Sequence, residues 1–363
     1  MSNRYAARRD RLRRLVRKSG ADAMLITSYI NVRYLTGFTG DSSYLLLLRD
    51  GEVLLSDFRF QTELAEDCPD VESIARGQGV SMLDIIEKVV KKARPKSLAF
   101  EAHNMNVSFH TRLSDSVKFE LMPTTGLVEE LRMIKDKEEV ARIRDAVAIA
   151  EKAFGVIRAS LLAEQTEKEV ADQLVHQMRL FGARDCAFPS IVGVGPNAAL
   201  PHAIPGSKKI GENPILLIDW GACEGWYNSD LTRVLVTARI PPKLERIYDV
   251  VKKAQAAAIA KIRPGVTCGE VDEAARSVIA KARHGKHFGH SLGHGIGLEV
   301  HEAPRLAGKE EQPLKTGMVV TVEPGIYLPG WGGVRLEDDV LVTRSGHEVL
   351  TSVTKDWSDV HVG

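Results

Sequence analysis

The chain has 363 residues, more than a single hydrophobic core usually holds, so we expect two domains or one large domain with an appendage. Hydrophobic residues make up 44% and charged residues 27% of the sequence, and the formal net charge is +1, which gives no reason to expect nucleic acid, an anionic membrane or an acidic partner. No apolar run approaches the roughly 20 residues that a membrane span needs, and no apolar segment of the signal-peptide type follows the basic start.

The N-terminus carries a cluster of basic residues that allows several interpretations. An Arg-rich transit peptide and a nucleic-acid-binding arm are two of them. We favour a first helix whose buried side is Leu12, Leu15 and Val16, because the segment leads directly into sequence typical of a folded domain. Its polar face would then hold Arg4, Arg8, Arg9, Arg11, Arg13, Arg14, Arg17 and Lys18.

The four cysteines, Cys68, Cys186, Cys223 and Cys268, are widely separated. Because no C-x-x-C spacing occurs, neither a zinc ribbon nor a redox-active dithiol is indicated. We expect reduced thiols in a cytoplasmic protein.

Short apolar runs alternate with helical patterns in the first third of the chain. This alternation is typical of an α/β domain, which we place at residues 1–126, with the boundary to the next domain in the segment 123–135. The predicted strands are 23–27, 44–48, 52–57 and 97–101, and the clearest helix is 81–93.

The remaining residues, 127–363, begin with two amphipathic helices and continue as strands separated by glycine-rich turns. Strands that meander with helices at intervals favour an α+β fold over a doubly wound sheet. The predicted helices are 127–154, 167–182, 243–262 and 269–283, and the predicted strands are 215–221, 231–237, 318–327 and 334–343.

Several familiar catalytic motifs are missing from the sequence. No G-x-G-x-x-G follows a strand, and neither a phosphate-binding P-loop nor a G-x-S-x-G nucleophile elbow occurs. His301 and Glu302 begin like the zinc motif H-E-x-x-H, but the second histidine is missing. These observations argue against a dinucleotide site, a P-loop nucleotide site, an elbow-type serine hydrolase and a zincin.

Four carboxylates lie at or within strongly apolar strands. Asp219 ends ILLI and Asp230 opens the next strand, so a hairpin would bring both to one end; Glu323 follows VVTV, and Glu337 lies in VRLEDDVLVT. Acids there are costly to bury unless something neutralises them. Four carboxylates with one imidazole are a plausible set of ligands for two divalent cations, and a mostly oxygen shell suits manganese.

Four histidines lie among glycines, prolines and small residues, where the backbone leaves room for a ligand. They are His202 in LPHAIPG and His290, His294 and His301 in GHSLGHGIGLEVHE. The other histidines fit ordinary surface or core positions.

At these residues the sequence resembles the Xaa-Pro peptidases, the aminopeptidase P and prolidase family with a pita-bread metallopeptidase domain. The segments that carry the resemblance in the second domain are LPHAIPG, IDWGACEGWYNSDLTR, GHSLGHGIGLEVHEAPR, TVEPGIY and VRLEDDV. In the first third, NVRYLTGFTG and LLSDFRF are similar to the non-catalytic domain of that family. The expected fold is therefore α+β, an N-terminal α/β domain (1–126) followed by a pita-bread catalytic domain (127–363).

The resemblance implies a two-metal centre with five ligands. Asp219 would hold one ion, His294 and Glu323 the other, and Asp230 and Glu337 would bridge them. The ions would be manganese, with cobalt or zinc as alternatives.

The resemblance also implies roles around that centre. Water attacks the carbonyl carbon of the residue before proline, with Glu323 as the proton shuttle, while His202 and His301 contact the scissile carbonyl and its oxyanion. His290 is a further pocket residue. From its position two residues before Glu337, we expect Arg335 to orient carboxylates or substrate.

Two activities remain open within the family. Arg305 in HEAPRL lies where archaeal-type prolidases carry an arginine for the free proline carboxylate, which favours an Xaa-Pro dipeptidase. The segments FTGDSSYLLL and LSDFRFQTEL are more similar to aminopeptidase P, which acts on longer peptides. We expect Xaa-Pro peptides as substrates and a homodimer. The alternatives are a methionine aminopeptidase-like enzyme, a metal-free creatinase-like hydrolase and a peptide-binding pseudo-peptidase.

Overall fold

The computed structural model describes residues 3–362 of the chain. These residues divide into two units, with the division between Arg132 and Met133. The division lies within the predicted boundary segment 123–135, and the domain limits 1–126 and 127–363 stay a prediction. Both units mix helices and sheets, which confirms the expected α+β fold.

The first unit is built around one six-stranded sheet with the strand order β4-β3-β2-β1-β5-β6. The central strands β1, β2 and β5 are almost wholly buried, as their apolar runs predict. Its elements are α1 (Asn3–Lys18), β1 (Ala23–Ile26), α2 (Tyr29–Thr36), β2 (Tyr44–Leu48), β3 (Gly51–Asp57), α3 (Gln61–Asp67), β4 (Glu72–Arg76), α4 (Met82–Ala93), β5 (Ser97–Glu101), α5 (Val107–Ser116), β6 (Glu120–Thr124) and α6 (Leu127–Arg132).

The basic N-terminal segment is a helix, α1, with Leu12 and Val16 buried. Its basic residues do not all lie on the exposed face. Arg9 is buried between Glu52 and Asp70, at 2.7 Å from each, and the guanidinium of Arg8 is buried over the ring of Tyr34. These two arginines enter the interior because carboxylates and an aromatic face replace the water they lose.

The second unit contains four small sheets with helices packed against them. Their strand orders are β11-β10-β7, β12-β9-β8, β14-β13-β15-β18-β19 and β16-β17. The elements are α7 (Lys137–Ser160), α8 (Glu167–Leu180), β7 (Asp185–Cys186), β8 (Ile191–Val194), β9 (Ile215–Trp220), β10 (Ala222–Glu224), β11 (Tyr227–Asn228), β12 (Leu231–Val236), α9 (Pro242–Lys261), α10 (Cys268–Lys281), β13 (Gly293–Gly295), β14 (Glu302–Leu306), β15 (Val319–Val322), β16 (Gly325–Leu328), β17 (Gly332–Arg335), β18 (Asp338–Val342), β19 (His347–Val349) and α11 (Trp357–Val360).

Strand β9 lies between two hydrophobic cores, which explains its unbroken apolar sequence. Ile215 and Leu217 join the core formed with α9 and α10, whereas Leu216, Ile218 and Trp220 join the core formed with α7 and α8. Side chains alternate between the faces of a strand, so Asp219 continues on the face of Leu217.

Three predicted elements are interrupted in the structure. The helix predicted at 127–154 is two helices, because Asp136 accepts hydrogen bonds from the backbone N–H groups of Glu138 and Glu139 and so starts a new helix. The strand predicted at 318–327 breaks at Glu323–Pro324, where proline has no N–H to donate, and the one at 334–343 breaks at Leu336–Glu337. Both breaks place a glutamate between two strands.

Among the helices of the described residues, none is both long and apolar enough to cross a membrane.

Strands β13 and β15 approach each other so closely that only glycine fits at position 293. A Cβ there would lie 2.0 Å from the carbonyl oxygen of Thr321. We expect Gly293→Ala to lower the free energy of unfolding by about 3 kcal/mol, because the backbone must shift. Urea denaturation measures this change.

Gly289 provides the matched control, since a Cβ at that position meets nothing within 4 Å. Gly289→Ala should change the free energy of unfolding by less than about 1 kcal/mol in either direction. Equal effects of the two substitutions would contradict the steric explanation.

Candidate metal centre and substrate cavity

All ten residues that the sequence analysis selected line one cavity of about 660 Å³ in the second unit. They come from segments up to 135 residues apart, brought together by pairing of the small sheets. They are Asp219, Asp230, Glu323, Glu337, His202, His290, His294, His301, Arg305 and Arg335. The structure therefore places these residues in one site, while their individual roles stay predictions.

The pairing of β9 with β12 places two of the acids on one face. Thr232 lies opposite Asp219 in the register, and Asp230 precedes it by two residues, so side-chain alternation points all three in the same direction. Glu337 joins them because its backbone N–H donates to the carbonyl oxygen of Thr232 at 3.1 Å.

Arg335 and Thr232 connect the two ends of this cluster. The Arg335 guanidinium donates to Asp219 Oδ2 at 2.5 Å and to Thr232 Oγ1 at 3.0 Å. The Thr232 hydroxyl donates in turn to Glu337 Oε2 at 2.7 Å. One oxygen of Asp219 and one of Glu337 are thereby held, and the other oxygen of each is left available.

His294 presents its Nε2 atom to the carboxylates. Its Nδ1 lies 3.1 Å from the carbonyl oxygen of Gly295, which can only accept, so Nδ1 carries the proton and Nε2 has a free lone pair. Nε2 is 3.5 Å from Glu323 Oε1 and 3.8 Å from Asp230 Oδ2. Potential ligand atoms of Asp230, His294 and Glu337 lie within 4.8 Å of one another.

Burial shifts the protonation of this cluster toward neutral forms. It raises the pKa of Asp230 and Glu323 well above the usual range, and the neighbouring Glu337 adds to both shifts. Burial, followed by the charge of Asp219, raises the pKa of Glu337 to about 8. The pKa of His294 falls to about 4 because burial disfavours its charged form, so the imidazole is neutral at pH 7.

Three buried carboxylate oxygens in the cavity wall have no hydrogen-bond partner among the described residues. They are Oδ1 of Asp219, Oδ1 of Asp230 and Oε1 of Glu337. Unsatisfied buried oxygens are costly, and a divalent cation with oxygen preference would satisfy them. Together with the free Nε2 of His294, this donor set fits the expected metal ions.

His290 belongs to a hydrogen-bonded chain that starts at Asp219. Arg335 can only donate, so its Nη1 donates to the Tyr327 hydroxyl at 2.9 Å, and that hydroxyl donates to His290 Nε2 at 2.9 Å. His290 Nδ1 donates to the carbonyl oxygen of Ser291 at 2.7 Å. Both ring nitrogens of His290 are thus engaged within the protein, and burial lowers its pKa to about 4.

The cavity mouth carries the exposed polar side chains. His202, His301 and Arg305 are exposed, and the His301 ring stands edge-on to His294 with the ring centroids 4.3 Å apart. Arg305 lies opposite His294 in the β13–β14 register, and its guanidinium has no hydrogen-bond or ion-pair partner among the described residues. The apolar part of the wall includes Phe188, Pro189, Ile191, Ile204 and Val300.

Sequence reasoning missed several residues that hold the acids in place. Asp339 Oδ2 accepts the backbone N–H of Asp230 at 3.1 Å, and Arg233 donates to the carbonyl oxygen of Glu337 at 2.6 Å. Arg233 also pairs with Asp338 at 2.7 Å, both being buried. The sequence signal was the triple acid after Leu336, which is unusual inside an apolar strand.

Comparison with known proteins supplies independent information. Residues 141–344 match the family described as Metallopeptidase family M24, and residues 8–134 match the Creatinase/Prolidase N-terminal domain. The Xaa-Pro dipeptidase of Pyrococcus horikoshii is 34% identical over 340 residues, which cover 93% of this chain and 95% of that protein.

Two solved structures are similar over nearly the whole chain. An Xaa-Pro dipeptidase from Bacillus anthracis has 36% identity and a TM-score of 0.94, with 97% of this chain and 99% of that chain covered. An X-Pro aminopeptidase from Thermotoga maritima has 34% identity and a TM-score of 0.88, with 96% and 99% covered.

The cluster predicts a pH-dependent weakness in the metal-free protein. Glu337 has a pKa of about 8 when folded, against 4.5 ordinarily, so its stabilising contribution is present below pH 4.5 and is lost as the pH rises through about 8. We expect chelator-treated protein to lose thermal stability across this range. Saturating Mn²⁺ should raise the melting temperature at the upper end by roughly 5–10 °C.

Thermal melts between pH 4.5 and 8, with chelator or with Mn²⁺, measure both effects. The control is His294→Ala, which should lose most of the Mn²⁺-dependent gain because a ligand is removed. Identical melting curves with and without the ion would contradict a metal centre at this cluster.

Proposed function

Because the chain belongs to metallopeptidase family M24, we propose that it is a metal-dependent exopeptidase that hydrolyses the bond between an N-terminal residue and proline. Supporting this, the relatives whose names state an activity include Xaa-Pro dipeptidases and an X-Pro aminopeptidase, at 34–36% identity over almost the full chain. The observation that carries the proposal is the cavity in which buried, unpartnered carboxylate oxygens face a free histidine nitrogen.

In this proposal five side chains hold two divalent cations: Asp219, Asp230, His294, Glu323 and Glu337. The ions, when bound, polarise the scissile carbonyl and make water more acidic at neutral pH. The unpartnered oxygens disfavour the metal-free alternatives, since a hydrolase or binding module without ions would leave those oxygens unsatisfied.

The protein's own residues move the proton and orient the substrate. Glu323 takes a proton from the attacking water and passes it to the proline nitrogen as the peptide bond breaks. The exposed imidazoles of His202 and His301 donate hydrogen bonds toward the carbonyl oxygen as it gains negative charge. The hydrogen bonds that run from Asp219 through Arg335 and Tyr327 to His290 fix which of these side chains donate a proton and which accept one.

Arg305 leads us to prefer dipeptides as substrates. Its guanidinium lies at the cavity mouth without a partner among the described residues, and a planar fork of donors matches the two oxygens of a free proline carboxylate. The aminopeptidase alternative is supported by the similarity to the Thermotoga maritima X-Pro aminopeptidase. Manganese as the bound ion, a homodimeric assembly and a cytoplasmic location stay predictions.

Three peptides separate the possible activities when chelator-treated protein is resupplied with manganese, cobalt or zinc. We expect cleavage of Ala-Pro, less or no cleavage of Ala-Pro-Ala, and none of Met-Ala-Ser. Preferred cleavage of Ala-Pro-Ala would assign the aminopeptidase activity, and cleavage of Met-Ala-Ser a methionine aminopeptidase-like one. No cleavage of any peptide with any ion would overturn the proposal.

A substitution at Arg305 tests the carboxylate site. We expect Arg305→Ala to raise KM for Ala-Pro by about 10- to 100-fold, because a charge-assisted pair of hydrogen bonds is lost, while kcat changes far less. Steady-state kinetics on Ala-Pro and on its C-terminal amide measure the effect, and the amide should be nearly insensitive to the substitution.

Arg344→Ala is the matched control, because Arg344 is an exposed arginine of the same unit that does not line the cavity. It should leave KM unchanged. If KM rises equally for the dipeptide and for its amide, Arg305 does not bind the substrate carboxylate.

A further inference from the structure

One loop carries both a polar and an apolar side chain to the rim of the cavity. It comprises residues 195–206, which leave β8 and return toward the start of α8. Its side chains His202 and Ile204 line the cavity, and Ile204 is 89% exposed. An isoleucine left so exposed on a cavity rim is available to contact a bound molecule.

The first half of this loop is fixed by close backbone packing. Residues Gly195–Ala199 form a 3-10 helix against β17. A Cβ at Gly333 would lie 2.1 Å from the carbonyl oxygen of Ala198, so the two backbones are in direct contact.

The second half, residues 200–206, is held differently. Ala203 is buried, but its neighbours His202 and Ile204 are exposed, and prolines at 201 and 205 limit the backbone without bonding it. The segment ends at Gly206, whose N–H donates to Glu167 Oε2 at 3.0 Å.

Glu167 ties the two ends of the loop to each other. The carboxylate is fully buried at the first position of α8, and its Oε1 accepts the backbone N–H of Val194 at 2.7 Å and the side-chain amide of Asn197 at 2.8 Å. Its Oε2 accepts from Gly206. Among the described residues no cation pairs with Glu167, so backbone and amide donors alone satisfy its buried oxygens.

We propose that Glu167 is a positioning residue that holds the loop 195–206 in place, so that His202 and Ile204 meet the substrate at the cavity rim. Glu167 touches no substrate itself; it acts through the loop. The inference rests on the proposed function only in that the cavity binds a peptide. Loss of the Glu167 bonds should loosen the rim and weaken substrate binding more than it slows the chemical step.

Glu167→Gln tests this proposal with nearly unchanged side-chain shape. The amide NH₂ cannot accept, so at least one of the Val194 and Gly206 N–H groups loses its acceptor. We expect hydrogen–deuterium exchange of the peptide spanning 200–208 to become about tenfold faster. KM for Ala-Pro should rise by a similar factor, with kcat changing far less.

Glu169→Gln is the matched control in the same helical turn. The Glu169 carboxylate is exposed and bonds to Thr166 in the capping box of α8, without reaching the loop. This variant should reproduce any loss of helix stability but leave loop exchange and KM unchanged. Equal behaviour of the two variants would overturn the proposal, as would faster exchange with an unchanged KM.

Hydrogen–deuterium exchange can be measured without substrate or metal. It therefore tests whether Glu167 holds the loop even if none of the substrate peptides is cleaved. Should Glu167→Gln not fold, Asn197→Ala removes one donor and leaves the carboxylate in place. A smaller acceleration of exchange in the same peptide would support the proposal, and unchanged exchange would overturn it.

Discussion

Four carboxylates share the floor of one cavity, and the compensation of their charge governs the surrounding structure. Among the described residues that hydrogen-bond the carboxylate groups of Asp219, Asp230, Glu323 and Glu337, Arg335 is the single cation. One guanidinium leaves a large excess of negative charge if all four acids ionise, so the metal-free cluster takes up protons, as the raised pKa values indicate. Divalent cations would replace those protons. The stability of the site is therefore linked to its ligands.

The three consecutive acids after Leu336 show how the chain supports such a cluster. Glu337 faces the cavity, Asp338 pairs with the buried Arg233, and Asp339 accepts the backbone N–H of Asp230. Each acid thus has a different environment because neighbouring side chains in an extended chain point in different directions. Arg233 closes the arrangement by donating to the carbonyl oxygen of Glu337. The position of Glu337 depends on contacts more than 100 residues apart in sequence.

Sequence patterns could predict which residues share the cavity because their signals are local. Asp219 and Asp230 stand out as acids at the ends of apolar strands, and a hairpin between them follows from the turn residues. Glu323 and Glu337 stand out in the same way, and the four histidines stand out by the small residues around them. The resemblance supplied Arg305 and the grouping of five residues as metal ligands. By contrast, Arg233 and Asp339 find their partners through strand register across distant segments, which no local pattern encodes. The sequence does contain a signal for the helix break at Asp136, because D-x-x-E is a capping-box pattern. The amphipathic pattern that continues across this position favoured one long helix instead.

Under the proposed function one cavity binds cations and an anionic group at the same time, and the neutral histidines are compatible with both. Burial lowers the pKa of both His290 and His294 to about 4, so neither adds positive charge at pH 7. The positive charge of Arg335 is paired with Asp219 inside the cluster. Arg305 at the mouth then carries a positive charge not paired within the described protein, on the side where the proposed substrate would enter. Charge in the cavity is separated by depth: the acids lie at the floor, where ions would be held, and a free guanidinium lies at the rim. A peptide with a free carboxylate on its proline and a polarisable carbonyl bonded to the proline nitrogen is complementary to that order, whereas the reverse orientation would bring its carboxylate to the acids.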